Sequence, residues 1–242
     1  MNIYDELLQT LPEEPVLVRN IVIGVHWTLV CSKYGGLAST LTNCGPHGHS
    51  HLREVGNLHQ KTAQELAQWI KSDNLLEASI GMAAINSLLD VDESKLREIN
   101  ASEVIAQKAA NKNLVVVGHF PFVEKIKCVT NNCWVIEKNP YGDDFPEEAS
   151  ADYIPQADVV AITGTSLINH TIEPLLSLCK PQSTIILLGP STPLAPVLFS
   201  HGIKYLSGSR ILDEEACALT VTQGASFPQV KGVRTVTLST SE

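Results

Sequence analysis

Residues 159–166 read VVAITGTS, an apolar run of strand length that passes directly into a glycine and three hydroxyl-bearing residues. Comparable short apolar runs occur at residues 114–117, 134–137 and 184–188. Short apolar strands that alternate with helical segments are typical of βαβ units and a parallel sheet. The sequence therefore predicts an α/β fold whose C-terminal part is Rossmann-like.

The sequence around these runs predicts the other strands and the helices of the C-terminal domain. A further strand is predicted at residues 204–206 and an edge strand at 235–238. Helices are predicted at residues 102–111, 168–178 and 194–200.

The first hundred residues show a different order, with strands before helices, which is typical of an α+β domain. Residues 16–25 and 28–33 are rich in β-branched and aliphatic side chains, and a helix over residues 75–89 contains many small apolar residues. Thr62 and Glu65 have the spacing of a capping box, which predicts a helix that runs to about Lys71. We expect a small α+β domain over residues 1–100, packed against a Rossmann-like domain over residues 101–242.

Composition restricts the partners and the location. The 242 residues are 44% hydrophobic, which is enough for a sizeable core, and 17 Lys and Arg stand against 26 Asp and Glu, for a formal net charge of −9. No basic stretch could follow a phosphate backbone, and no apolar run approaches the roughly 20 residues that span a bilayer. We expect a cytoplasmic protein that binds neither nucleic acid nor membrane; a homo-oligomer is compatible with the sequence.

The loops after the predicted strands contain the candidate functional residues. In an open parallel sheet, ligands bind beyond the carboxyl ends of the strands. We expect eight of the candidate residues to converge in one cleft that faces the N-terminal domain: Gly118, His119, Glu137, Thr163, Gly164, Thr165, Gly189 and Pro190. Asn169 and Ser191 are further candidate ligand-binding residues. His119 and Glu137 are the candidate catalytic acid or base, and we expect Glu137 to be partly buried beside His119, where the opposite charges attract. Asn86, inside the small-residue helix, could contribute from the other domain.

The spacing of Gly118 and Glu137 leaves two interpretations open. They lie about 20 residues apart, the separation at which a Rossmann domain places an acidic residue on ribose hydroxyls. The sequence after Gly118 is not GxGxxG, so a dinucleotide is less favoured than a smaller, nucleoside-like ligand. The alternative is that Gly118 makes a tight turn and Glu137 is a solvated strand end. Helix capping is the corresponding alternative for the hydroxyls of residues 163–166.

Histidines and cysteines leave the metal ligands unidentified. His47, His49 and His51 alternate, so an extended segment would point all three to one side, where they could bind a transition metal, although a solvent-facing loop is the favoured interpretation. The six cysteines contain no CxxC pair and are expected to be mostly buried thiols. Cys128 and Cys133 could face each other across a hairpin, yet two cysteines lack the remaining ligands of a structural zinc site.

Several of these segments together resemble the putative heavy-metal chelation family. The similarity is carried by GHFP at residues 118–121, the strand that ends at Glu137, TGTS at residues 163–166, and above all residues 189–202. The helix segment at residues 78–86 resembles the companion domain of that family. The resemblance implies an enolase N-terminal-like domain joined to a Rossmann-like domain, with a site in the cleft between them.

The function implied is binding or processing of a small polar molecule, which could itself be a metal chelator. A transition metal or a metal chelator is thus one candidate cofactor. The alternative is an enzyme that uses a nucleotide or methyl-donor cofactor in the Rossmann-like domain, with Glu137 on the ribose and His119 as acid or base. Whether the protein is catalytic stays open at this point.

Overall fold

The N-terminal unit is a three-stranded antiparallel sheet packed against helices. The computed structural model describes residues 2–43 and 51–240. The strands follow the order β1-β2-β3. The elements of this unit are α1 (Ile3–Gln9), β1 (Asn20–Ile23), β2 (Trp27–Cys31), β3 (Gly35–Ser39), α2 (Ala63–Ala67) and α3 (Leu75–Leu88). The capping box of Thr62 and Glu65 starts α2 as predicted, and a 3-10 helix, Gln68–Lys71, continues it to Lys71. The likeness of this unit to the enolase N-terminal domain stays a prediction.

The Rossmann-like unit contains the other strands and α-helices of the described residues. Its elements are α4 (Ala101–Ala109), β4 (Asn113–Val117), α5 (Val123–Lys127), β5 (Asn132–Glu137), β6 (Phe145–Pro146), α6 (Ser150–Tyr153), β7 (Val159–Thr163), α7 (Thr165–Ile168), α8 (Ile172–Ser177), β8 (Thr184–Leu188), β9 (Ile203–Ile211), α9 (Glu214–Thr222) and β10 (Val233–Ser239). None of the helices within residues 2–43 and 51–240 is long and apolar enough to cross a membrane.

The large sheet has the strand order β10-β9-β8-β7-β4-β5-β6. Every neighbouring pair is parallel except β9 with β10. Counted along the chain, the parallel strands run 3-2-1-4-5-6, the order of dinucleotide-binding folds, and the order reverses between β4 and β7. The predicted α/β class with a parallel sheet in its C-terminal part is confirmed.

Several predicted elements differ in extent. The strand predicted at 204–206 is nine residues long because its far half pairs with the edge strand β10. The helix predicted at 168–178 is broken between Ile168 and Ile172, where His170 adopts a left-handed backbone with φ 62°. Pro196 opens a 3-10 helix, Pro196–His201, where an α-helix was expected. Cys133 lies in β5 while Cys128 ends α5, so the two do not face each other across a hairpin.

The segment before α4 also covers an edge of the large sheet. Arg97 and Thr237 of β10 exchange two backbone hydrogen bonds of 2.9 Å each, and the Thr237 hydroxyl donates to Ile99 O at 2.8 Å. The opposite edge is the two-residue strand β6, which ends in Pro146.

Helix α3 is the centre of the N-terminal unit, because nearly all of its residues are buried. Its small side chains allow close contacts. A Cβ atom at Gly81 would lie 2.2 Å from the backbone nitrogen of Ile70, and a Cβ at Gly36 of β3 would lie 2.1 Å from the carbonyl oxygen of Ala83. Neither neighbour is a flexible side chain, so both positions require glycine.

Gly81→Ala should therefore destabilise the protein by about 2–3 kcal/mol, since the added methyl group forces backbone to move. The matched control is Gly224→Ala. Gly224 has φ 77° but nothing within 4 Å of an added Cβ, so it should lose only about 1 kcal/mol of backbone strain. Urea unfolding monitored by circular dichroism measures both. Equal losses in the two variants would contradict this packing of α3.

Candidate functional site

A cavity of about 180 Å³ lies at the carboxyl ends of β4, β5 and β7. This is the position where the strand order reverses, between β4 and β7. The cavity brings together six of the residues predicted from the sequence. They are Gly118, His119, Glu137, Thr163, Thr165 and Asn169. The other lining residues are Val117, Phe120, Ile136, Lys138, Glu147, Ser150, Thr171 and Leu175.

The Glu137 carboxylate fixes the loop after β4. One oxygen, Oε2, accepts the backbone N–H of His119 at 2.9 Å, and the other, Oε1, accepts the backbone N–H of Lys138 at 2.8 Å. Gly118 has φ 104°, and an added Cβ would lie 3.2 Å from the side chain of Thr163. A residue other than glycine would thus be strained at this turn and crowd the neighbouring strand end.

The imidazole of His119 pairs with Asp144 rather than with Glu137. Nδ1 of His119 lies 2.8 Å from Oδ2 of Asp144, whose side chain is 5% exposed, whereas the His119 side chain is 49% exposed. The sequence predicted attraction between the His119 and Glu137 side chains, and this is corrected: Glu137 binds the backbone of His119. Because a carboxylate only accepts, Asp144 places the proton on Nδ1 and leaves Nε2 of a neutral imidazole as an acceptor.

Hydroxyl groups surround the start of α7. Oγ1 of Thr163 and Oγ1 of Thr165 are 2.9 Å apart, and Ser166 Oγ donates to Thr163 O at 2.7 Å. The Thr171 hydroxyl donates to Asn169 Oδ1 at 2.7 Å. The hydroxyl groups of residues 163–166, which suggested a ligand site in the sequence, therefore mostly form local hydrogen bonds at a turn. The four-residue helix α7 is too short to form an anion site by itself.

Ser150 lines the cavity and was missed from the sequence. Its hydroxyl is buried and has no hydrogen-bond partner among the described residues. An unpaired buried hydroxyl costs about 1–3 kcal/mol. Asp144 and Ser150 both lie between β5 and β7. Asp144 is in the loop before β6 and Ser150 begins the four-residue helix α6, and neither segment is long enough to show a period in its sequence.

The loop after β8 does not line the cavity. Strand β8 is three positions from β5 in the sheet, so Gly189 lies about 14 Å from Glu137 at the usual strand spacing. Ser191 instead contacts the N-terminal unit, because its Oγ accepts the backbone N–H of Ser39 at 2.9 Å. Of the predicted site residues, the cavity thus excludes Gly189, Pro190 and Ser191.

Gly164 and Asn86 are also outside the cavity lining. A Cβ atom at Gly164 would lie 2.7 Å from the backbone nitrogen of Thr192, so the glycine lets the loops after β7 and β8 pack. Asn86 donates its side-chain amide to Leu37 O at 2.9 Å, within the N-terminal unit. The lining residues all lie between Val117 and Leu175.

The described residues do not fit a heavy-metal centre. Within residues 2–43 and 51–240, no group of three or more His, Cys, Asp or Glu side chains could hold a metal ion. Burial raises the pKa of Cys31 to about 12 and that of Cys217 to about 11, so both are thiols at neutral pH. His47 and His49 lie outside the described residues, and the predicted role of the His47/His49/His51 segment is left untested.

Two family models with the same description match the two parts of the chain. A family model described as putative heavy-metal chelation matches residues 100–239, and a second with the same description matches residues 4–89. An uncharacterized protein of Methanocaldococcus jannaschii is 27% identical over 204 residues, which are 81% of this chain and 78% of the relative.

Two solved structures of proteins of unknown function share the whole fold. One, from Desulfitobacterium hafniense, is 31% identical with a TM-score of 0.85 and covers 98% of this chain and 97% of its own. Another, from Pyrococcus horikoshii, is 19% identical with a TM-score of 0.83 and covers 98% of each chain, which shows a shared fold.

The bonds from Glu137 to the loop predict a local effect. Glu137→Ala should accelerate amide hydrogen exchange at His119 and Lys138 by about tenfold or more, because each amide loses a hydrogen bond to a charged acceptor. Asp144→Ala is the control: it should leave these two amides unchanged and accelerate Tyr141, whose N–H donates to Asp144 at 3.3 Å. Exchange measured by NMR distinguishes the variants. Unchanged rates at both His119 and Lys138 in Glu137→Ala would contradict the loop geometry.

Proposed function

We propose a ligand-binding function for this chain, which belongs to the putative heavy-metal chelation family. The cavity at the reversal of strand order binds one small polar organic molecule. The observation that carries the proposal is the place of the cavity, because open α/β sheets bind their ligands in the crevice beyond the strand ends at this reversal. Its volume of about 180 Å³ is below the roughly 300–1,000 Å³ of pockets for drug-sized ligands, which favours a compact molecule.

The lining residues suggest that the Rossmann-like unit supplies the ligand contacts and the N-terminal unit supports them. His170, between the lining residues Asn169 and Thr171, has its Nε2 2.7 Å from Ile70 O of the N-terminal unit. The sequence predicted a site in the cleft between two domains, and the proposed site differs from that prediction in its location. The ligand lies in the cavity of the second unit, beside the contact with the first.

A metal would enter this site only on a ligand that carries its own donor atoms. The described residues lack a cluster of metal-binding side chains, which disfavours capture of a bare ion at the cavity. A metal-chelating organic compound is compatible with the proposal, since the compound itself supplies the coordinating atoms. The same contacts would bind such a compound with or without its metal.

An enzyme that uses a nucleotide-type cofactor is the second candidate. It is favoured by Glu137, which ends the second parallel strand in chain order, where dinucleotide-binding folds place the acidic residue that holds ribose. Among the described residues the cofactor's pyrophosphate has no matching site. Helix α5, whose N-terminus would bind it, is only five residues long and begins five residues after Gly118. In such an enzyme Nε2 of His119, oriented by Asp144, would accept a proton from the substrate.

The proposal predicts that some small polar compound stabilises the protein through Glu137. A thermal-shift screen of polar metabolites and organic chelators, each with and without Zn²⁺ or Ni²⁺, should yield a hit. At 100 times the dissociation constant, binding adds about 2.7 kcal/mol to stability. Glu137→Gln should weaken binding by about tenfold or more while the protein stays folded, since a rim side chain contributes little to the core.

Glu148→Gln is the matched control, because Glu148 is exposed and does not line the cavity. It removes the same charge from the same region and should leave binding unchanged. If no compound in the screen stabilises the wild-type protein, or if both variants bind the hit as the wild type does, the proposed site is wrong.

A further inference from the structure

The hydroxyl of Ser150, a residue at the wall of the cavity, lacks a hydrogen-bond partner within residues 2–43 and 51–240. Ser150 is 7% exposed and lines the cavity, and its Oγ has no partner among the described residues. Buried polar groups in folded proteins are almost always paired, either within the protein or with a bound molecule. The Oγ itself exposes less than 1 Å², so a molecule in the cavity can pair with it only after the Ser150 side chain rotates about χ1.

The charges around the cavity favour a ligand that donates hydrogen bonds. Glu137 and Glu147 both line it, and the one Lys or Arg among the lining residues is Lys138, whose Nζ lies 3.7 Å from Oε2 of Glu147. The lining thus carries a net negative charge with its cation already paired, which disfavours a phosphate group. Each Glu137 oxygen accepts one backbone N–H and keeps a second lone pair, which can accept a ligand hydroxyl.

Apolar side chains form another part of the lining, beside the polar residues His119, Thr163, Thr165, Asn169 and Thr171, and they include an aromatic ring. Phe120 lines the cavity and stacks on Phe122, with ring centroids 5.2 Å apart and planes at 14°. Val117, Ile136 and Leu175 add aliphatic surface. A flat heterocycle suits such a surface, because aromatic rings and nucleobases stack favourably.

We propose that the ligand is an unphosphorylated nucleoside. Its vicinal ribose hydroxyls donate to Glu137, a polar group of the nucleoside pairs with Ser150, and its base lies against Phe120. This inference rests on the proposed function of the cavity and names the chemical class of the ligand. The vicinal diol could also come from a free pentose, which the experiment distinguishes.

Isothermal titration of the full chain with adenosine, guanosine, cytidine and uridine tests the class. At least one nucleoside should bind. Its 2′-deoxy form and its 5′-monophosphate should each bind at least tenfold more weakly, because one lacks a hydroxyl for Glu137 and the other brings negative charge to an acidic cavity. Free ribose should bind more weakly than the nucleoside, since it has no base.

The titration separates failure of this inference from failure of the proposed function. If the monophosphate, the deoxynucleoside or ribose binds as tightly as the nucleoside or more tightly, the assignment of a nucleoside ligand is wrong. Absence of binding by all four nucleosides would overturn it as well. If another polar compound from the thermal-shift screen then binds through Glu137, the proposed function stands; if none binds, both fall.

Ser150→Ala and Ser183→Ala give opposite results if the inference is right. Ser183 is a buried serine outside the cavity, and its hydroxyl donates to Ala157 O at 2.8 Å. Ser150→Ala should weaken nucleoside binding at least fivefold without lowering the melting temperature of the free protein, because it removes an unpaired hydroxyl. Ser183→Ala should lower the melting temperature and leave the affinity unchanged. Unchanged affinity in Ser150→Ala, or a clearly lower melting temperature of that variant alone, would refute the role of Ser150.

Discussion

The parallel pairing of β4 with β7 is the constraint on which the site depends. These strands are central in the sheet, yet β5 and β6 lie between them in sequence and extend the sheet on the other side of β4. The chain therefore leaves β4 in one direction and β7 in the opposite direction, so the loops at Gly118 and Thr163 diverge and leave a crevice. Glu137, at the end of the neighbouring strand, keeps one wall of that crevice in place through its bonds to the backbone of His119 and Lys138.

The two units are joined by contacts at separate places. Ser39 at the end of β3 meets Ser191 in the loop after β8. Arg19, just before β1, forms an ion pair of 2.6 Å with Glu214 of α9. At the start of the chain, the backbone N–H of Ile3 donates to Glu173 of α8 at 3.0 Å. The N-terminal unit thus contacts the Rossmann-like unit on several of its elements, including those that follow the cavity residues Asn169 and Thr171.

Much of the fold could be predicted from the sequence because central parallel strands are buried on both faces. Such strands form continuous apolar runs, and β8 has the bounds predicted from its run, residues 184–188. The short helices α1 and α5 were missed because a helix of two turns or fewer gives little periodicity. The site was predicted only in part, since strand order is not written in the sequence. Without that order, the loop at Gly189 appears equivalent to the loop at Thr163. Asp144 and Ser150 lie in segments too short to show a sequence pattern.

The hydrogen bonds between Arg97 and Thr237 have a consequence for solubility. A sheet edge with free N–H and C=O groups is a template on which another chain can add a strand. Here the connection between the two units occupies part of one edge, beside β10, and the other edge is the short strand β6, which ends in a proline. The connecting segment therefore links the two units and also protects this sheet edge from pairing with another chain. A Rossmann-like unit expressed without residues 93–100 would expose this edge of the sheet and would be more prone to aggregate.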